Sequence, residues 1–169
     1  MGKFYIGVDN GVTGSIGIID SEDIYSAEFE KIPIKTEQSY TKKKQNISRI
    51  NWVELFAFFS NYKTPKNNSI CLIERPMVNP GRFKATMSAL RCLETVLICI
   101  EMASLPYQYI DSKQWQKELL PKGIKGSAEL KKASCDIGIR LFPQYKEQIL
   151  KHKDADGLLI AEWAKRQNL

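Results

Sequence analysis

The sequence predicts an α/β protein with a mixed sheet, and three observations carry that prediction. Short β-prone runs crowd the first third, a continuous apolar run stands in the middle, and helical periodicities alternate with one more strand after it.

Phe4-Tyr5-Ile6-Gly7-Val8 and Ser15-Ile16-Gly17-Ile18-Ile19-Asp20 flank Asn10-Gly11 and Thr13-Gly14, so they read as two strands around a glycine-rich turn. Tyr25 to Ile32 alternates Tyr25, Ala27 and Phe29 against Ser26, Glu28 and Glu30, the pattern of a third strand with one wet face. The first third is therefore an antiparallel meander. Residues 33–50 are polar and lysine-rich and read as a mobile loop. Trp52, Leu55, Phe56 and Phe59 then recur at helical spacing behind Asn51, the expected N-cap. Ile70-Cys71-Leu72-Ile73 has no polar alternation, as expected of a central strand buried on both faces, and it ends at Glu74.

Pro76, Pro80 and Gly81 break the chain before a long helix, expected from Lys84 to Ser104. Its apolar residues, among them Met87, Leu90, Val96, Ile98, Ile100 and Met102, form more than one stripe. More than one face should be buried, in the core or against a second copy. Tyr107 to Ile110 is another strand, closed by Asp111-Ser112. A short helix carries Trp115 and Leu119, and Ser127 is the expected cap of a helix reaching Leu141. Asp154 or a neighbour opens the last helix, with Leu158, Leu159, Ala161 and Trp163 facing inward.

At 169 residues the chain suits one domain, 1–169, large enough to bury a core without staples. Hydrophobic residues at 43% and charged residues at 26% argue against disorder. No apolar run approaches the roughly 20 residues of a membrane span. The first residues lack a secretory hydrophobic region, so a cytoplasmic protein with no membrane partner is expected. Cys71, Cys92, Cys99 and Cys135 form no Cys-x-x-Cys pair, and with a single His they exclude a zinc cluster; all four read as free thiols.

The net charge is +6, from 25 Lys and Arg against 19 Asp and Glu, and it is unevenly spread. Lys31, Lys35, Lys42, Lys43, Lys44, Arg49, Lys63 and Lys66 share their segment with only Glu37 and Glu54. Between Lys113 and Lys132 there are six lysines against Glu118 and Glu129. Two such stretches form a footprint for a polyanion and leave the acids for other work.

Three acids stand where a fold wants apolar residues or turn formers. Asp9 and Glu74 end strands, and Asp156 opens an apolar helix between Ala155 and Gly157. Each has a structural reading: an Asx-turn at Asp9, an ion pair from Glu74 to Arg75 or Arg82, a helix-dipole contact at Asp156. If the two strands adjoin and the helix packs on them, the three carboxylates meet. Such a cluster is stable only when protonated or sharing cations, and an all-oxygen site favours Mg²⁺ or Mn²⁺. Metal-held acids in a basic protein point to phosphodiester hydrolysis. For a fourth ligand, His152 and Asp156 at i,i+4 would share a helical face. Asp154 would converge on Asp156 only from a preceding turn, so spacing favours His152, with Asp154 as its substitute.

These segments resemble the motifs of the RuvC-like Holliday junction resolvases, in particular their compact phage-type branch, within the RNase H-like superfamily. Tyr5-Ile-Gly-Val-Asp9-Asn-Gly-Val-Thr-Gly-Ser15 is similar to the family's opening motif, and Ile73-Glu74-Arg75-Pro76 to its second. Asp156-Gly-Leu-Leu-Ile-Ala161, with His152 upstream, resembles the final-helix motif. Trp115-Gln116-Lys117, Lys131-Lys132-Ala133 and Leu141-Phe142-Pro143 are similar to the basic stretch between. Gly157 stands where Ala is commoner, which is expected to loosen the helix start.

The resemblance implies an RNase H-like fold with a mixed five-stranded sheet flanked by helices. It also implies a cytoplasmic homodimer, bacterial or phage-encoded, that nicks four-way DNA junctions in paired fashion during recombination and repair, leaving 5′-phosphate ends. Asp9, Glu74, Asp156 and His152 or Asp154 would hold two Mg²⁺, one activating water and one stabilising the leaving 3′-oxygen, with Mn²⁺ able to substitute. Lys113, Lys131 and Lys132 would contact phosphates, with Arg82 and Lys84 beside the cleft. Phe83 is either a core residue or a wedge at the junction. No nucleotide cofactor is expected. The rivals are an RNase H-like RNA-processing nuclease, a non-catalytic branched-DNA-binding module, and a sugar-kinase-like fold, for which the chain is too short.

Overall fold

The computed structural model describes residues 2–62 and 68–169, without the side chain of Ile24; Lys63 and Lys66 of the first basic stretch lie outside the described residues. Among the described residues seven strands and six α-helices follow one another as β1 (Phe4–Val8), β2 (Ser15–Asp20), β3 (Glu28–Lys31), β4 (Ile34–Gln38), β5 (Asn46–Ile50), α1 (Trp52–Ser60), β6 (Ser69–Glu74), α2 (Phe83–Met102), β7 (Tyr107–Ile110), α3 (Ser112–Leu119), α4 (Ser127–Leu141), α5 (Lys146–His152) and α6 (Asp156–Arg166). Five strands form a mixed sheet in the order β3-β2-β1-β6-β7, as the sequence predicts. β1, β2 and β3 pair antiparallel, whereas β6 lies parallel to both β1 and β7.

Strand alternation sorts the sheet into two apolar layers. Ile6, Val8, Ile16, Ile18, Cys71 and Ile73 face Leu55 and Phe59 of α1 and Val96, Cys99 and Ile100 of α2. Tyr5, Ile19, Ile70 and Leu72 face the other way, against Trp115, Phe142, Leu158 and Ala161. The same alternation puts Asp9, two residues beyond Gly7, and Glu74, two beyond Leu72, on the side covered by α3 to α6. The parallel register, Val8 against Ile73, sets the two acids side by side at the sheet's end.

Helix α6 crosses that side in unusually close contact. Methyl groups built on Gly7 and Gly17 would lie 2.2 Å from Gly157 O and 2.3 Å from Leu158 Cα, and one on Gly157 would lie 2.8 Å from Gly17 N. No side chain fits between these backbones. Gly157 is therefore what lets the helix start approach the sheet, rather than a loosening of it, and Gly157 N also donates to Ser15 Oγ at 3.1 Å.

The structure corrects four readings. Residues 34–50 form a β4–β5 hairpin rather than a mobile loop, paired from Ile34–Ile50 to Gln38–Asn46. The third strand is shorter than its pattern, because Asp23 Oδ1 accepts from Tyr25 N at 2.9 Å and winds residues 24–26 into a single 3₁₀ turn, leaving Tyr25 exposed. Ser127 is the first residue of α4, and Gly126 is the residue before it. A separate helix, α5, precedes α6 and ends at Lys153, whose φ of 78° turns the chain left-handed. The four cysteines are free, with only Cys135 partly exposed. Among the described residues no helix is long and apolar enough to cross a membrane.

Candidate metal centre

The acidic centre forms where the C-terminal ends of β1 and β6 meet the start of α6. Asp9, Asp154 and Asp156 each present a carboxylate oxygen within 4.8 Å of the others. Ligands on opposite sides of a Mg²⁺ ion stand about 4.2 Å apart, since each bond is about 2.1 Å. A bound of 4.8 Å is a few tenths of an ångström wider than that span, so a small inward shift lets this all-oxygen donor set close on a hard divalent cation. Glu74 adjoins this group and lines, with Asp9, Asn10, Arg82 and Ala89, a cavity of about 230 Å³.

Four supporting contacts hold the acids. Trp115, wholly buried on α3, donates its Nε1–H to Glu74 Oε2 at 2.8 Å. The Ser134 hydroxyl on α4 donates to Asp156 Oδ1 while accepting from Ala155 N at 3.0 Å. Lys131 Nζ donates to Asp154 Oδ2 at 3.2 Å. His152 Nε2 stands 3.3 Å from Asp154 Oδ1, an ion-pair approach rather than a well-formed hydrogen bond, with its ring edge-on to Phe29.

Burial and mutual repulsion set the protonation of the group. Burial, then the charges of Asp156, Glu74 and Asp154, push Asp9 well above the usual carboxylate range. Burial raises Glu74 to about 7, against the opposing Trp115 hydrogen bond. Burial and the Asp154 charge raise Asp156 to about 6. Burial pushes Asp154 upward too, but His152 and Lys131 outweigh it and hold this carboxyl below its ordinary value. Three reluctant carboxylates beside one ionised one make a centre that a cation relieves.

The structural readings of these acids fare unevenly. Glu74 pairs with neither neighbouring arginine. Arg75 instead reaches Asp111, Nε to Oδ1 at 3.2 Å, and lies over the Tyr109 ring. Asp156 does sit in the first turn of α6, but facing other acids. His152 and Asp156 share no helical face, because the left-handed Lys153 separates α5 from α6. That break places Asp154, 2% exposed, in the acidic group and leaves His152 behind it.

The basic candidates scatter more widely. Arg82 lines the acidic cavity, and Lys84 is exposed on the first turn of α2. Lys131 is tied to Asp154, while Lys132 is exposed on α4. Lys113 joins Lys117 and Lys122 in a separate groove between α3 and α4. Phe83 is 69% exposed, so the core reading of this residue does not hold. Sequence reasoning missed the roles of Trp115 and Ser134. Nothing in the periodicity of α3 or α4 marks a core Trp or a small polar residue as a carboxylate partner.

No protein-family model matches the chain, and no curated protein matches it. Solved structures do. The chain is similar to Thermus thermophilus RuvC in complex with Holliday junction substrate, with a TM-score of 0.55, 13% identity, and coverage of 98% of this chain and 96% of that one. It is also similar to a second Thermus thermophilus RuvC structure, with a TM-score of 0.50 at 12% identity and the same coverage. The fold is thus the RuvC-like variant of the RNase H-like α/β architecture.

Proposed function

We propose that this chain, as a single domain over 1–169, is a metal-dependent endonuclease that resolves four-way DNA junctions, of the compact phage-type branch of RuvC-like enzymes, acting in the cytoplasm. The observation that carries the reading is the meeting of Asp9, Asp154 and Asp156 beside Glu74 on a RuvC-like sheet. The branched substrate is supported by the structural neighbour bound to a Holliday junction.

Asp9, Glu74, Asp154 and Asp156 would hold two Mg²⁺ ions, with Mn²⁺ able to substitute; when bound, the ions supply an activated water and charge compensation at the leaving 3′-oxygen, leaving a 5′-phosphate end. The remaining work belongs to side chains. Trp115 fixes Glu74 by one oxygen, and Ser134 fixes Asp156 against the backbone of the α5–α6 turn. Lys131 and His152 keep Asp154 ionised and so ready to act as a ligand, which makes His152 a positioning residue. Arg82, on the cavity wall, would grip the phosphate being cut, and Lys84, exposed on the first turn of α2, would hold a neighbouring one. Lys113, in its separate groove with Lys117 and Lys122, and the exposed Lys132 would meet phosphates farther from the acids.

Pairing of the nicks requires two sites. Helix α2 exposes Phe83, Met87, Leu90, Ile98 and Met102 while its opposite face is in the core. This stripe would be buried in a homodimer about a two-fold axis.

The test is incubation with Mg²⁺ and labelled junction, duplex and structured RNA. Paired nicks in the junction alone, abolished by Asp9→Asn while junction binding persists, are expected. Cleavage of RNA in preference would establish the RNA-processing alternative, and binding without cleavage in Mg²⁺ or Mn²⁺ would establish the non-catalytic module.

A further inference from the structure

The β4–β5 hairpin takes no part in the acidic centre, yet its position and charge are specific. Its base is held by Asn51 N donating to Pro33 O at 2.8 Å, next to Trp52, whose carbonyl accepts from Cys99 Sγ at 3.5 Å. At its far end the Tyr40 ring lies over Arg91, 6.0 Å from centroid to guanidinium carbon. From Cys99 back to Arg91 is eight residues of α2, about 12 Å at 1.5 Å per residue. Two residues further on, Ala89 O accepts from Asn10 Nδ2 at 3.3 Å, and Ala85 and Ala89 line the acidic cavity. The hairpin therefore runs along α2 toward the end that borders the acids.

Its tip is closed by hydrogen bonds and unneutralised. Ser39 N donates to Gln45 O at 2.7 Å, Thr41 N to Ser39 Oγ at 3.2 Å, and Thr41 Oγ1 to Lys43 O at 3.2 Å. Lower on the hairpin, Glu37 is claimed by Lys35 at 2.5 Å and Arg49 at 2.7 Å. That leaves Lys42, Lys43 and Lys44 exposed and, among the described residues, without an ion pair; Tyr40 beside them is 75% exposed. Three adjacent cations on a two-stranded ribbon match the phosphate rail of a duplex, whose major groove admits such a ribbon.

We propose that the β4–β5 hairpin is a nucleic-acid arm, in which Lys42, Lys43 and Lys44 grip backbone phosphates of the duplex flanking the acidic centre and Tyr40 packs against the adjoining sugar or base. The arm rests on the nuclease reading for the identity of its polyanion. It adds affinity and orientation without sequence preference, because phosphate contacts carry no base information.

The experiment compares Asp9→Asn protein with the same protein carrying K42A/K43A/K44A, measuring junction binding from 50 to 300 mM salt. Circular dichroism checks that both are folded. The triple substitution is expected to weaken binding at least tenfold at 150 mM and to flatten the slope of log affinity against log salt by about 2.7, at roughly 0.9 per phosphate contact. Lysine acylation read by mass spectrometry should show these three lysines protected by the junction. An unchanged slope with unprotected lysines overturns the arm while leaving the nuclease reading intact, provided the parent binds and the Asp9 form cuts. Failure of the parent to bind DNA at any salt overturns both.

Discussion

Glu74 owes its orientation to one donor, the indole of a Trp115 with no solvent contact, so this pair separates positioning from packing. Trp115→Phe keeps an aromatic core residue and removes only the donor and part of the volume. Losing such an outer partner costs about 10–100-fold in metal affinity or activity; a Mg²⁺ titration of junction cleavage should show the apparent metal affinity falling, which loss of packing alone would not produce. The raised carboxyls make a second prediction. Glu74 is lifted from 4.5 to about 7 and Asp156 from 3.8 to about 6. A carboxyl raised in the folded state binds its proton more tightly there than in the unfolded chain. Its stabilisation is complete below its unfolded value and lost as pH climbs through its folded one. Metal-free protein should therefore be less stable at pH 8 than at pH 5.5, by on the order of 2 kcal/mol, with Mg²⁺ narrowing the gap in thermal melts. Asp154, lowered instead, contributes above its ordinary 3.8 and loses that contribution in stronger acid. Melting midpoints that stay level from pH 5.5 to 8 without metal would contradict the crowding of these acids.

At the scale of elements, α6 delivers Asp156 only because three glycines let its backbone touch β1 and β2. Gly157→Ala forces a methyl to within 2.8 Å of Gly17 N and Ser15 O. Overpacking of this kind costs about 1–3 kcal/mol, so urea denaturation should show that loss, and the lifted helix should cut more slowly even under conditions where it remains folded. The sheet strands were legible because each carries either the two-residue alternation of a strand with one wet face or the continuous apolar run of a strand buried on both. Asp9 and Glu74 were legible because a strand end is where such a signal stops. The hairpin was not, since Ile34, Thr36, Ile47 and Ile50 are too sparse among lysines to mark strands that pair mainly with each other. Nor was the break at Lys153: a lysine gives no warning of a left-handed residue, and without it the i,i+4 spacing wrongly joined His152 to Asp156. Tyr25 misled for the opposite reason, extending an alternation that a local Asp23 cap had already ended.

For the whole molecule, surface character divides between basic stretches and the apolar α2 stripe. If that stripe joins two copies, the protein should sediment at twice 19.3 kDa, and L90E/I98E should return it to 19.3 kDa. The separated chain should nick one strand of a junction where the parent cuts two; a parent already monomeric at micromolar concentration would remove the two-fold contact. The acidic centre itself draws on distant parts of the polypeptide. Asp9 and Glu74 leave the ribosome well before Asp154 and Asp156, and the strands that carry them are complete while α6 is still unmade. A polypeptide that stops before residue 154 therefore lacks two of the four clustered acids, and any chemistry that needs all four would be withheld until synthesis has passed Asp156.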